Sequence, residues 1–244
     1  MTKEEIKKVE LIQDKYYMIP ILKRVEQYIS EKGLSETFNY IYEILTTSKV
    51  DVEKLLVIRE KEGEIKDKSQ ARKSIAGAAF SNILVYLFLK AKEQGLVRDD
   101  IYISDNGRNK MFEGMVTINV DGETQKPDMD VIIYSKNKDA SIKKLMIISL
   151  KTSLRERAGQ TYKWKLLLEI ATTENAIKDK YNISYDIRKM PLVCFATVNF
   201  YNEINNPQHR GMFKFFDNSF IGKPLKSDFI SNMSELVQYA NENL

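Results

Sequence analysis

Apolar residues recur along the chain with two different periods, and the change between them falls near Gly95. Before it the pattern is helical. In "SQARKSIAGAAFSNILVYLFLKAKEQG", Ala76, Phe80, Ile83, Leu84, Leu87 and Ala91 return every three or four residues, which predicts one helix from about Ser69 to Gly95 with a broad apolar face. Upstream, shorter patterns predict helices joined by tight turns. Pro20 interrupts the first, Gly33 stops "ILKRVEQYISEKG", and Ser35 and Asp51 stand where "ETFNYIYEIL" and "VEKLLVIREK" need caps. After Gly95, "IYIS", "MVTINV", "DVIIY" and "LMIISL" are short β-branched runs separated by the polar turns "DNGRNK", "DGETQK" and "SKNKDAS", and they predict strands. A second amphipathic helix is expected from about Arg155 to Thr172. "MPLVCFATVNF" then reads as a buried strand, "MFKFF" as an edge strand and "SELVQYANEN" as a closing helix. This order predicts an α/β (α+β) fold, a mixed sheet with helices packed on it. The expected division is a helical region over 1–66 and an α/β core over 67–244, with no internal repeat or low-complexity linker.

With 244 residues, 43% of them hydrophobic, the chain can bury one sizeable core. A net charge of +4 permits a nucleic-acid partner without demanding one. The local distribution is sharper. Residues 143–165 hold Lys143, Lys144, Lys151, Arg155, Arg157, Lys163 and Lys165 against Glu156 alone, seven positive charges minus one negative. Cys194 is the only cysteine, so neither a disulfide framework nor a thiolate zinc site is available, and "PLVCFATV" predicts a buried, inert thiol. The charged start "MTKEEIKKVE" does not read as a signal peptide, and no run approaches the roughly 18 apolar residues of a membrane span, so the expected compartment is the cytoplasm.

Two strands place polar residues where the pattern wants apolar ones. In "KPDMDVIIY", Asp128 and Asp130 are two apart and share one face of an extended strand; in "MIISLK", Ser149 and Lys151 do the same. Strands joined by a short turn usually pair, which predicts that Asp128 approaches Lys151. Carboxylates beside an ammonium suit a hard divalent cation that leaves coordination sites for phosphate oxygens, with the lysine holding or activating the attacking water. The plainer alternatives are turn chemistry at Asp128 and a solvated strand end at Lys151. His209, the sole histidine, sits in the polar loop "NNPQHRG" and cannot build a histidine metal site or triad alone; a surface role or a phosphate contact is expected. Trp164 and Tyr162 read as packing residues.

At these residues the chain resembles a family. Asp128 after Pro127, and Lys151 in Ser149-Leu150-Lys151, look like the catalytic motif of type II restriction endonucleases of the PD-(D/E)xK superfamily. "KTSLRERAGQTYKW" is similar to the Lys-Thr-Thr/Ser-x-Arg-Glu-Arg run that follows the lysine in one branch, and "SQARKSIAGAAF" resembles the helix that opens the family's core. The three matches stand in the family's order over roughly residues 69–175. The resemblance implies a restriction-endonuclease-like core, magnesium, double-stranded DNA cut to 5′-phosphate ends, a homodimer and a cognate DNA methyltransferase in the same system. It implies catalytic roles for Asp128 and Lys151, with Ser149 at the motif's second-acid position; the expected catalytic set is completed by Glu169, and the expected metal ligands are Asp128, Asp130 and Glu169.

The match also has departures. The motif's second acid, two residues before the lysine, is Ser149. The branch's compensating glutamate falls thirteen residues past the lysine (164 − 151), on Trp164; Glu169 lies eighteen past it (169 − 151) and about 140° further round the helix. A further family glutamate aligns with Ser81. Asp130, Glu169 or Glu113, expected on the preceding strand, are the candidate substitutes. For DNA binding, Arg155, Glu156 and Arg157 are suited to reading G·C pairs, while Lys143, Lys144, Lys163 and Lys165 are expected at phosphates. Arg72 and Lys73 either cover a helix start or touch phosphate, and Ser69 caps it. The rival readings are a non-catalytic DNA-binding protein on the same scaffold, a strand-nicking subunit of a heterodimer, and a helical interaction module that binds no DNA.

Overall fold

The computed structural model describes the whole chain except Asn106, Arg108, Asp128 and residues 186–189, together with the side chains of Arg155, Glu156, Arg157, Ala158 and Gln160. Five helices come first: α1 (Lys3–Gln13), α2 (Met18–Lys32), α3 (Leu34–Thr37), α4 (Ile41–Lys61) and α5 (Lys68–Glu93). They are followed by β1 (Ile101–Ser104), α6 (Lys110–Val116), β2 (Ile118–Val120), β3 (Glu123–Gln125), β4 (Val131–Lys136) and β5 (Ile142–Lys151). Then come α7 (Arg155–Thr172), α8 (Ala176–Lys180), β6 (Ile183–Ser184), β7 (Leu192–Thr197), α9 (Pro207–Phe213), β8 (Asn218–Ile221), β9 (Ser231–Asn232) and α10 (Leu236–Asn243).

Six strands form one sheet in the order β1-β4-β5-β7-β8-β9, and β3-β2-β6 form a smaller antiparallel one. Pairing is antiparallel from β1 to β5 and parallel from β5 to β9, so the predicted mixed α/β sheet flanked by helices is what the chain forms. Both faces are covered, which explains why β4, β5 and β7 read as almost unbroken apolar runs. On one face Val131, Ile133, Met146, Ile148, Cys194 and Ala196 pack in a single cluster with α5, with Ile12 and Ile21 of the first two helices and with Phe38 just past α3. On the other, Ile132 and Ile147 meet Phe112 of α6, while Val193 and Phe195 meet Leu168 of α7 and Phe213 of α9.

α5 runs through the middle of the first cluster, buried at nearly every position from Ala79 to Leu89. Among the described residues it is the one helix long and apolar enough, by length and composition, to cross a membrane, contrary to the expectation that no run comes close; 61% of the qualifying window is buried inside the fold. The cap of α5 is Asp67, whose carboxylate accepts from Gln70 N at 2.9 Å, and not Ser69.

Ser35 and Asp51 do not cap helices either. Each lies inside one, and Asp51 instead binds Arg24 at 2.9 Å. Pro20 is tolerated in the first turn of α2, where no intrahelical N–H is needed. Gly33 and Gly95 follow the ends of α2 and α5 with φ of 84° and 74°, as stop residues do. "MFKFF" is not a strand: Asn206 and Pro207 open α9, which carries Met212 and Phe213 into its last turn, and the strand begins at Asn218.

Candidate active site

The β4–β5 hairpin places the site. Its register pairs Val131 with Ile148, so Asp130, one residue before β4, lies across from Ser149. The Asp130 Oδ2 accepts from the Leu150 backbone N–H at 2.7 Å and from Lys151 Nζ at 3.0 Å. Lys151 ends β5 beside Thr197 of β7, and its side chain is 13% exposed against 32% for Asp130. A carboxylate and an ammonium therefore meet at the end of a central strand, open on one side. Asp128 lies outside the described residues.

The surroundings hold this strand end in place. Ser149 is 1% exposed, and its hydroxyl stands 3.3 Å from the Thr161 hydroxyl of α7. Phe200 N donates to Thr152 O at 3.0 Å, and Leu154 N, at the head of α7, donates to Glu203 Oε2 at 2.9 Å. The turn after β7 thus clasps the whole link between Lys151 and α7. Asn199 and Asn202 adopt φ of 51° and 55° in that turn, a conformation asparagine tolerates better than most residues. Half-buried His209 joins the same turn through Nδ1, 2.9 Å from Glu203 O. Glu203, Thr161 and the turn carry no signature in the sequence, because their partners lie in other elements.

Gly107 packs against the segment that precedes β4. A methyl group there would stand 2.5 Å from Met129 O and 2.6 Å from Met129 Cβ. Gly107→Ala is therefore expected to push Met129 and the adjoining Asp130 aside, costing about 1–3 kcal/mol of stability and a larger share of any activity that depends on Asp130. Thermal melting and cleavage assays on the variant check this; an unchanged rate would show that the segment tolerates the shift.

Other candidate residues lie elsewhere. Glu169 is 49% exposed, pairs with Lys165 at 3.4 Å, and sits roughly 21 Å along α7 from Arg155, too far to reach Lys151. Glu113 is on α6 rather than a strand, and its ion pair with Lys126 holds its carboxyl below the usual range. Lys165, expected at phosphate, is 4% exposed with Nζ at 2.9 Å from both Asp217 oxygens. Arg72 forks onto Glu53 at 2.7 and 2.8 Å, linking α5 to α4, with Lys73 exposed beside it.

Lys143 and Lys144 lie near the start of β5, roughly 26 and 23 Å from Lys151 at the strand's rise per residue, so the basic run of the sequence is divided in space. Lys163 is exposed on α7. Arg155, Glu156 and Arg157 form the first turn of α7, and their side chains lie outside the described set. Tyr162 stacks on Phe215 with centroids 5.2 Å apart, and burial pushes the Cys194 thiol up, consistent with an inert core residue. Among the described residues no three acids, histidines or cysteines gather as a metal cage.

Residues 103–239 match the family model described as BsaWI restriction endonuclease type 2. A comparison with curated proteins found no match. Among solved structures, the chain is similar to one titled "Restriction endonuclease PspGI-substrate DNA complex", with a TM-score of 0.49 and 14% identity over 93% of this chain and 95% of that one.

Proposed function

Given that the chain belongs to the BsaWI family of type 2 restriction endonucleases, we propose that it is a magnesium-dependent enzyme that hydrolyses double-stranded DNA at a specific sequence and leaves 5′-phosphate ends. The observation that carries the reading is the Asp130–Lys151 pair at 3.0 Å on the end of β5. The Ser-x-Lys branch motif followed by Arg-Glu-Arg supports it. Cutting both strands of a near-palindromic site suits a homodimer, since twofold protein symmetry matches twofold DNA symmetry. Residues 1–66 then serve dimer or outer DNA contacts. A cytoplasmic setting and a cognate methyltransferase complete the proposal.

Magnesium fits the donor type at this strand end. Asp130 offers hard carboxylate oxygens, and Asp128, expected beside it from the sequence, would supply a second carboxylate. When bound, the ion supplies Lewis-acid stabilisation of charge on the phosphate. Lys151, held by the Asp130 Oδ2, donates from its ammonium to orient the attacking water. The buried Ser149–Thr161 contact and the Glu203 carboxylate at Leu154 N fix the head of α7 against this strand end, so DNA reading and cutting share one frame.

Incubating a fully sequenced phage DNA with the protein and magnesium tests the proposal: a discrete, repeatable fragment pattern is expected, and intact DNA would overturn it. Accumulation of open-circle plasmid as the end product would favour a nicking subunit instead.

The Arg-Glu-Arg turn gives a separate expectation. Arginine donates two bonds to guanine O6 and N7, and glutamate accepts from the cytosine amine. Arg157→Ala and Glu156→Ala are each expected to lose about 1–3 kcal/mol of discrimination at adjacent G·C pairs. Competition binding without magnesium measures it; equal weakening for cognate and substituted duplexes would mean that the turn grips backbone only.

A further inference from the structure

We propose that α1 acts on the active site from outside it: its Lys8, paired with Asp105, positions the segment that carries Asp130. The proposal rests on the nuclease reading of that site and makes Lys8 and Asp105 positioning residues, acting through Asp130. α1 holds β1, the edge strand of the six-stranded sheet, at both ends. The Thr2–Glu5 capping box sets the start of the helix. Glu5 is 6% exposed and accepts from the buried Lys92 Nζ at 2.8 Å; the same ammonium donates to Ile101 O at the head of β1. One turn further along the same helical face, Lys8 pairs with Asp105, the residue that follows β1.

Two short routes lead from Asp105 to the site. The β1–β4 register sets Ser104 across from Ile132, so Asp105 falls level with Val131, the neighbour of Asp130. Two residues past Asp105, Gly107 lies so close to Met129 that a methyl group would stand 2.5 Å from its carbonyl oxygen. An edge strand has one ladder to hold it, and its end opens before the centre of the sheet does. The Lys8–Asp105 pair fastens that end at the point where β4 begins. Burial pushes the Asp105 carboxyl up, but the bond from Lys8 and the nearby charge of Lys15 outweigh it and hold the group below the ordinary carboxylate range. Lys15 is itself tied to Asn82 of α5 at 2.9 Å. The Glu5–Lys92 pair alone would secure α1 over the strand. Lys8 adds a second hold beyond the strand's end, beside the segment that carries Asp130.

The test uses the full chain with Lys8→Met, Lys8→Arg and Asp105→Asn, and two readouts. The first is amide hydrogen exchange, read by NMR, at Leu150, whose N–H is held by Asp130 Oδ2, against Val193, whose N–H is held by Asp217. In Lys8→Met, exchange at Leu150 is expected to rise by about tenfold while Val193 is unchanged. The second is steady-state cleavage. There kcat should fall about ten- to 100-fold while KM for DNA holds, the scale on which a small misplacement remote from the chemistry slows a reaction. Lys8→Arg keeps the pair and should restore both readouts. Melting temperature should move by a few degrees at most, because a partly exposed ion pair carries little global stability. Unchanged Leu150 exchange and kcat in Lys8→Met overturn the proposal, as does equal acceleration at Leu150 and Val193. A raised KM with kcat intact also overturns it and places Lys8 on the DNA. If Lys8→Met does not fold, Asp105→Asn takes its place, keeping an oxygen for Lys8 without the charge: changes in the same direction are expected, and wild-type values overturn the proposal. A wild-type protein that leaves DNA intact, with Leu150 exchange still answering to Lys8, would refute the nuclease reading and keep the positioning of Asp130.

Discussion

Lys151→Met is expected to lower DNA cleavage by about 10²–10⁴-fold, the range over which a positioned proton donor or acceptor contributes to an enzymatic rate. Methionine matches the four-atom apolar stem of lysine, so the strand end should remain packed; what disappears is the ammonium at 3.0 Å from the Asp130 carboxylate. Lys151 is only 13% exposed, and metal-free binding to duplex DNA should therefore change little. Asp128→Ala belongs to the same experiment, and the sequence motif predicts an equal loss for it. Single-turnover cleavage of the cognate duplex, beside anisotropy binding in chelator, separates chemistry from affinity. A Lys151→Met enzyme that cuts within a few-fold of wild type would remove this lysine from the reaction.

The second large effect is on folding. Lys165→Ala is expected to destabilise the protein by about 3–5 kcal/mol, because it breaks a pair in which the lysine is buried and leaves Asp217 without its cation. The Asp217 Oδ2 also accepts from Val193 N at 2.7 Å, so the damage reaches the β7 strand end. Denaturant unfolding measures the loss. The same variant should leave the salt dependence of DNA binding unchanged, whereas Lys163→Ala, exposed on the same helix, should lower the slope by about one unit if it meets a phosphate. Normal stability with a slope reduced by one would show that Lys165 swings out to the DNA.

Lys165 also shows what a sequence conceals. Within "TYKWKLLLE" it is one lysine of two, and nothing local distinguishes the buried one from the exposed one. The distinction is made by Asp217, fifty-two residues away (217 − 165) and on the far side of the crossover. The same holds for Ser149, whose partner Thr161 belongs to the following helix. Local chemistry was legible where it sufficed: β-branched runs with polar turns located β1, β4, β5 and β7, and Gly33 and Gly95 ended helices as their backbone freedom requires.

It misled where a local preference was overruled by packing. Asp51 is a good cap in isolation, yet Ile44, Leu45, Val52 and Leu56 bury one continuous face of α4 across it. The basic run from 143 to 165 is contiguous in sequence but spread along a ten-residue strand and a helix. Of the candidate acids, strand alternation puts Asp130 beside Lys151, while helical rise carries Glu169 some 21 Å along α7 from Arg155.

β5 is laddered on both edges over Met146, Ile147 and Ile148, by β4 on one side and β7 on the other. Past Ile148 the β4 ladder stops, and on that edge the Leu150 N–H is held by the Asp130 side chain rather than by a backbone carbonyl. A strand bound on two edges is stiff; one bound on a single edge, with a rotatable carboxylate on the other, yields more readily. The tip that bears Lys151 is thus held by β7 on one edge and by a rotatable side chain on the other, just past the doubly paired middle of the strand. Rotation about the Asp130 side-chain bonds, on the picosecond-to-nanosecond scale of rotamer motion, can let that tip settle against a phosphate without disturbing the platform behind it.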